Sequence, residues 1–255
     1  MAVVEHERRG HVEIVRLNRP EAKNAINPEV SVLMAEILDA IETDAEVRAV
    51  VVTGTGDVFC AGADLKVVAQ GRGQEIGAAK GGFAGLTSRN YSKPLIAAVQ
   101  GPALAGGFEI MLSCDLVVAS DTARFGIPEV QRGLIAAAGG LIRLPKRVPL
   151  AMALEMAMTG DPISAAKAAE LGLVNRVVPQ SEVLDTAIAL AERIGANSPI
   201  AVRLSRQLVK QAAEISEDEG WKLTGKYAVE VFSSGDAIEG STAFAEKRPA
   251  KWNST

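Results

Sequence analysis

The chain has 255 residues, 48% of them hydrophobic, with 31 Asp and Glu against 27 Lys and Arg and a formal net charge of −4. That length supports one large core with a smaller appended unit. The acidic balance argues against a general nucleic-acid binder, which needs a basic surface, so any anionic ligand would be held by local basic side chains.

No run of about 18 apolar residues occurs, and no membrane span is expected. The opening MAVVEHERRG is charged early and lacks the apolar core of a secretory signal. Cys60 and Cys114 sit in apolar contexts without a C-x-x-C partner, which suits small buried thiols and a reducing cytoplasm. The histidines, His6 and His11, lie at the N-terminus, and no H-E-x-x-H, G-x-S-x-G or Cys/His metal spacing is present. Acid–base work therefore falls to carboxylates.

In chain order, HVEIVRL (11–17) alternates as a strand does, and NRP stops it. After Pro28, EVSVLMAEILDAIETD carries apolar residues at helical spacing. VRAVVVTG (47–54), PLIAAVQG (94–101) and DLVVAS (115–120) are short apolar runs of the kind that form buried strands. Strand, turn, helix, strand at this rhythm predicts an α/β fold with mostly parallel strands. The glycine-rich AQGRGQEIGAAKGGFAG (69–85) fails both the phosphate-loop and the dinucleotide order and reads as a mobile loop or lid near a site, and GTGDVFCAG (54–62) fails the same tests. From about residue 140 the chain reads as mostly helical, with LVNRVV (173–178) strand-like and a further helix starting at Pro199. A boundary near Asn197 divides residues 1–197, an α/β core, from residues 198–255, a helical segment too small to build much core alone.

Three stretches join glycine to a chemically committed neighbour: CAGADL (60–65), ALAGGFE (103–109) and FGIPEVQRG (125–133). Each follows a predicted strand, and strand C-terminal ends are where α/β sheets assemble sites. Backbone N–H groups of Ala63 and Gly106 would each lie near a helix start, unpaired and favoured by the helix dipole for negative charge. Two such donors aimed at one oxygen would make an oxyanion hole. Alternatives stay open at this level. Gly106-Gly107 equally suits close packing of helix on strand, and Glu129 equally suits a first-turn acid behind a proline. Glu109 is flanked by Phe108, Ile110, Met111 and Leu112, where an unpaired charge costs several kcal/mol, though a helix face could still carry it to water.

Taken together, NRPEAKNAI, FCAGADL, KPLIAAVQGPALAGGFEIMLSCDLVVAS, ARFGIPEVQRGLIAAAGGLIRLPKRV, TGDPISAAKAAELGLVNRVV and AFAEKRPAKW resemble the enoyl-CoA hydratase (crotonase) family from about Val3 to Trp252. The resemblance implies a crotonase-like α/β spiral of ββα units with a helical C-terminal segment for trimerisation, as a homotrimer or a dimer of trimers. It implies that Ala63 and Gly106 supply the two N–H donors to a thioester oxygen, that Glu109 helps activate water and that Glu129 protonates C2. It places Ala22 and Lys23 near the CoA phosphates, the backbone of Ala63, Asp64, Leu65 and Lys66 along the adenine and pantetheine, and Phe244 and Lys247 near the nucleotide, sometimes of a neighbouring subunit. The implied activity is hydration of a trans-2-enoyl-CoA, with the CoA of the substrate as the only cofactor and no metal, in the cytoplasm. The rivals are carnitinyl-CoA dehydration or enoyl-CoA isomerisation on the same scaffold, or a silent acyl-CoA-binding subunit.

The chain departs from the family's hydratases in two places. AGG replaces G-G-G ahead of Glu109, and AAAGGLIRL (136–144) replaces P-G-A-G-G-T-Q-R-L. GGLIRLP and the C-terminal ending are more similar to the carnitinyl-CoA dehydratase branch.

Overall fold

The structure, a computed structural model, describes residues 2–253; Met1, Ser254 and Thr255, the outer ends of the two expected segments, lie outside it. Its strands are β1 (Val4–Arg9), β2 (Val12–Leu17), β3 (Ala49–Gly54), β4 (Leu95–Val99), β5 (Ala103–Leu104), β6 (Leu116–Ser120), β7 (Arg124–Gly126), β8 (Ile163–Ser164) and β9 (Arg176–Val178). Its α-helices begin with α1 (Pro28–Thr43), α2 (Leu65–Ala69), α3 (Gly73–Ile76), α4 (Gly106–Ser113), α5 (Gly140–Arg143) and α6 (Leu150–Thr159). They continue with α7 (Ala165–Glu170), α8 (Val183–Gly195), α9 (Pro199–Ala212), α10 (Glu217–Phe232) and α11 (Gly235–Glu246). No helix among the described residues is long and apolar enough to cross a membrane.

The main sheet has the order β1-β2-β3-β4-β6-β9, antiparallel between β1 and β2 and parallel from there on. Its central strands are apolar throughout because both faces are covered. Along β3, Val50 and Val52 point into one core and Ala49 and Val51 into the other. The first core takes α1, whose Val30, Met34, Ile37, Leu38 and Ile41 recur at helical spacing. The second takes α8, through Val183, Ala187, Ile188 and Ala191. Each large side chain buried this way contributes about 1.5–3 kcal/mol before entropy is counted. Asn27 starts α1 by accepting from the Val30 N–H at 2.9 Å, with Pro28 in the first turn.

A second sheet, β5-β7-β8, was not visible in the sequence pattern, and nor was β1. β1 buries only Val4 and presents charges along the sheet edge, so it shows no apolar alternation. β5 and β8 have two residues each, too few to carry a period.

The C-terminal helices are held to the core by a few polar contacts. Arg206 of α9 donates to Asp115 at 2.6 Å and to the Tyr91 carbonyl at 2.7 Å. The Trp252 indole N–H donates to the Ala196 carbonyl at 2.7 Å, and within the segment the Ser198 hydroxyl donates to Asp236 of α11 at 2.6 Å. Little of this segment is buried: Ser198 ahead of α9, Leu204 on α9, Tyr227 on α10, Asp236 and Ala243 on α11.

Candidate active site

The three glycine-bearing stretches are laid side by side by short pairings rather than by the main sheet. Cys60 bridges Ala103 in parallel, and β5 pairs β7 in parallel through Ala103–Phe125 and Leu104–Gly126. The Ala105 N–H donates to the Gly126 carbonyl at 2.9 Å, so the chain enters α4 beside the turn that carries Glu129. Ile26 bridges Ala63 by donating to the Gly62 carbonyl and accepting from the Asp64 N–H, both at 2.8 Å. A parallel bridge of this kind uses the groups on either side of residue 63, which turns the Ala63 N–H away from Ile26. Gly106 is the first residue of α4, so its N–H has no partner inside the helix.

Glycine is required where these backbones meet. Gly62 has φ +97°, and a Cβ there would lie 2.7 Å from the Ala105 Cβ and 3.0 Å from the Gly106 nitrogen. Gly107 serves packing, since its Cβ would come within 2.1 Å of the Cys60 carbonyl oxygen. Gly107 thus serves close packing, one of the readings that the sequence left open, while the N–H of Gly106 stands at the helix start without a partner in the helix. Ala105, at φ +52° and ψ −131°, holds a conformation that normally belongs to glycine.

Ala63, Gly106, Glu109 and Glu129 all line one cavity of about 1340 Å³. Ala22, Lys23, Asp64, Leu65 and Lys66 line it too, with Arg19 beside them. Asp64 is already engaged, accepting from Arg19 at 3.0 Å and from the Lys66 N–H at 3.1 Å, where it caps α2. Part of the glycine-rich 69–85 stretch lines the same cavity through Gln74, Ile76 and Phe83. Phe83 lies across the start of α4, within 2.4 Å of where a Gly106 Cβ would stand. Phe244 and Lys247 are not brought to this cavity. They lie on α11 and at its C-terminal end, with Phe244 87% exposed.

The two acids meet different surroundings. Glu109 is 3% exposed, and both the Ala138 and the Gly140 N–H donate to its Oε1 at 2.7 Å. Burial pushes its carboxyl above the usual range, while the two donors and the charge of Arg143 pull it back. Glu129 sits in a 3-10 turn, residues 128–132, fastened by the Gln131 amide donating to the Thr159 carbonyl at 2.9 Å. Its Oε2 is buried without a hydrogen-bond partner. Burial, with the charge of Glu109 adding to it, pushes Glu129 up to about 7, against its own backbone N–H and Arg132. A first-turn acid placed only to suit a dipole would keep its oxygens in water or on donors, and the Glu129 Oε2 has neither. Cys60 and Cys114 are buried, unbonded to one another, and pushed up to about 12, so neither supplies a thiolate.

Sequence reasoning missed the donors from Ala138 and Gly140, and with them Arg143, Arg19 and Phe83. Backbone donors carry no residue signature. The only signal was the Gly139-Gly140 pair within AAAGGLIRL (136–144).

A family model described as enoyl-CoA hydratase/isomerase matches residues 7–255. A carnitinyl-CoA dehydratase of Proteus mirabilis is 42% identical over 250 residues, covering 96% of this chain and 95% of its own length. Enoyl-CoA hydratase EchA19 of Mycobacterium tuberculosis is 41% identical over 249 residues, 95% of this chain and 93% of its own. Among solved structures, an enoyl-CoA hydratase from Mycobacterium tuberculosis H37Rv superposes with a TM-score of 0.95 at 47% identity, covering 100% of both chains. A carnitinyl-CoA hydratase from Mycobacterium avium superposes with a TM-score of 0.78 at 42% identity, covering 99% of both.

Proposed function

This chain belongs to the enoyl-CoA hydratase/isomerase family, and we propose that it is an enoyl-CoA hydratase, adding water reversibly across C2=C3 of a trans-2-enoyl-CoA thioester. The observation that carries this reading is a single cavity holding two carboxyls in opposed environments beside two N–H groups free of helix and bridge partners.

Hydration needs oxygen delivered to C3 and a proton delivered to C2. Glu109, whose Oε1 is held by two donors, takes the proton from water as the oxygen bonds to C3. Glu129, with a pKa of about 7 and a bare Oε2, is protonated in a large fraction of molecules at neutral pH and gives its proton to C2. Between the two steps, charge moves onto the thioester oxygen. The N–H groups of Ala63 and Gly106 are the donors for it, each contributing on the order of 3–4 kcal/mol in sites of this kind. Dehydration runs the same transfers backwards. Nothing in this sequence of transfers calls for a metal or for a cofactor beyond the CoA of the substrate. Ala22, Lys23 and the backbone from Ala63 to Lys66 serve as the CoA end of the cavity, where Lys23 and Lys66 supply the local cations that a net-acidic chain needs for phosphates.

The acyl group that suits the other end is neutral and apolar. The segment between the two acids begins where the Leu134 N–H donates to the Glu129 carbonyl and ends where Gly140 donates to Glu109, and it puts Leu134, Ile135 and Ala137 on the cavity wall. A trimethylammonium group is best held by several aromatic faces, whereas Phe83 is the one aromatic residue on the wall among the described residues and Arg143 adds a cation there.

The test is loss of enoyl-thioester absorbance with a trans-2-enoyl-CoA, run beside Glu129→Gln. Fast loss in the wild type alone supports the reading. Faster turnover of a trimethylammonium-bearing thioester than of trans-2-octenoyl-CoA would move the assignment to carnitinyl-CoA dehydration, and movement of the double bond without incorporation of solvent oxygen would make it an isomerase.

The active assembly in this reading is a cytoplasmic homotrimer or dimer of trimers. Its support is the apolar surface of α10 and α11, where Trp221, Phe232 and Phe244 are 67%, 76% and 87% exposed. Phe244 and Lys247 would then reach a nucleotide only from a neighbouring copy. Light scattering on the eluting protein tests this, and a stable monomer would count against it.

A further inference from the structure

We propose that Arg143 is a positioning residue for Glu109: it clamps the turn that delivers two N–H donors to one carboxylate oxygen, and so keeps Glu109 the proton acceptor of the pair. This role presupposes the hydration chemistry proposed above.

The clamp is visible in the hydrogen bonds. Arg143 Nη1 donates to the Ala138 carbonyl at 3.3 Å, and Nη2 donates to the Thr87 carbonyl. Ala138 is thereby held from both sides, its carbonyl by Arg143 and its N–H by Glu109 at 2.7 Å. The second anchor, Thr87, lies just past the glycine-rich 69–85 stretch and also lines the cavity, so the guanidinium ties the Glu109 turn to a second segment of the cavity wall. Gly139, between the two donors, has φ +106°, and a Cβ there would fall 1.9 Å from Arg143 Nη1. Only glycine at 139 permits both this backbone conformation and the guanidinium lying against it.

Charge acts in the same direction. Both Arg143 hydrogen bonds end on carbonyl oxygens rather than on a carboxylate, so its positive charge is not cancelled locally. Glu109 is the carboxylate it favours in ionised form. The other groups facing this pair are Glu129 on its turn, with Arg132 acting on Glu129 rather than on Glu109. Arg147 and the thiol of Cys114 act on Arg143. Removing the guanidinium therefore makes Glu109 harder to ionise and leaves Glu129 without a direct change.

The experiment measures kcat and KM against pH for Arg143→Met and Arg143→Lys, with a parallel carbon-13 NMR titration of the Glu109 carboxyl assigned through Glu109→Gln. For Arg143→Met, kcat is expected to fall roughly 10- to 100-fold with KM within about threefold of wild type. The acidic limb of the kcat profile and the Glu109 titration midpoint should both rise by about one pH unit. Lysine keeps the charge but offers its donors from one nitrogen instead of two spaced ones, so it should restore the limb while recovering only part of kcat.

An unmoved acidic limb and an unmoved Glu109 midpoint in the methionine variant would overturn the role, as would a rise in KM at constant kcat. If the methionine variant does not fold, the lysine variant decides: wild-type kcat there removes the clamp. A wild-type protein that hydrates no enoyl-CoA would sink the hydratase reading, while the NMR titration would still judge Arg143.

Discussion

On α4, Glu109 is enclosed and receives two N–H donors from the 138–140 turn; on the 128–132 turn, Glu129 is only half-buried and one of its oxygens has no donor at all. Burial raises the proton affinity of both, and is the leading cause in each case. What separates them is the donor count and the charges around them: Arg143 alone acts on Glu109, whereas Glu129 feels the carboxylate of Glu109 as well as Arg132. The more deeply buried acid is therefore the one with the more donors to offset its burial. Depth alone would have assigned the roles the other way round.

The largest effects should come from removing either acid. Glu109→Gln and Glu129→Gln are each expected to lower hydration kcat by about 10²–10⁴-fold, with acyl-CoA affinity little changed. The two should part company in another assay. Exchange of the C2 hydrogen of a saturated acyl-CoA with deuterated solvent should persist in Glu109→Gln and disappear in Glu129→Gln, and the reverse pattern would exchange their roles.

Smaller damage is expected from Gly140→Ala, whose Cβ would press on the Glu109 Cγ and Oε1 at 3.1 Å. A kcat loss of about tenfold with an upward move of the acidic limb should follow, since displacing an acid by part of an ångström weakens both its donors and its aim. No change in steady-state kinetics would mean that the turn yields and that the donors matter less than their distances suggest.

Stability offers a check on Glu129 that does not depend on turnover. Its carboxyl rises from 4.5 to about 7 on folding, so the folded state holds the proton more tightly than the unfolded chain. That contribution is fully present below pH 4.5 and is lost as pH rises through about 7. Glu129→Gln should therefore gain on the wild type by about 1 kcal/mol between pH 4.5 and pH 8.5, a figure reduced for the partial exposure of the side chain. Paired thermal melts at those two values measure it, and a constant gap would mean that Glu129 is not held protonated. The smallest effect concerns the entry to α4: Ala105→Gly should relieve the backbone strain at φ +52° and, after the added entropy of the unfolded chain, stabilise by about 0.5–1 kcal/mol.

Much of the scaffold was legible because periodicity reports burial. β2, α1, β3, β4, β6 and α9 all lie within the stretches whose apolar spacing predicted them. β1 escaped because its outward charges hide a strand, and β5, β7 and β8 because two or three residues carry no period. The site was legible in part. Three glycine-bearing stretches stood out, and the structure gathers all three on one cavity. Phe244 and Lys247 stand apart from it in this chain, and the Ala138, Gly140 and Arg143 group that holds Glu109 had no signature of its own.

By itself the amino-acid sequence determined the α/β layering, the chemical types available for acid–base work and, through motifs running from end to end, the family. Hydrophobic period and residue identity are local properties, readable one window at a time. Which donors each carboxyl meets, which N–H groups stay free of helix and bridge partners and which glycine packs against the Cys60 carbonyl were decided only by the tertiary structure. Proton affinity depends on distances to donors far away along the chain, 31 residues from Glu109 to Gly140, and those distances exist only once β5 and β7 have paired and the 138–140 turn has closed over α4.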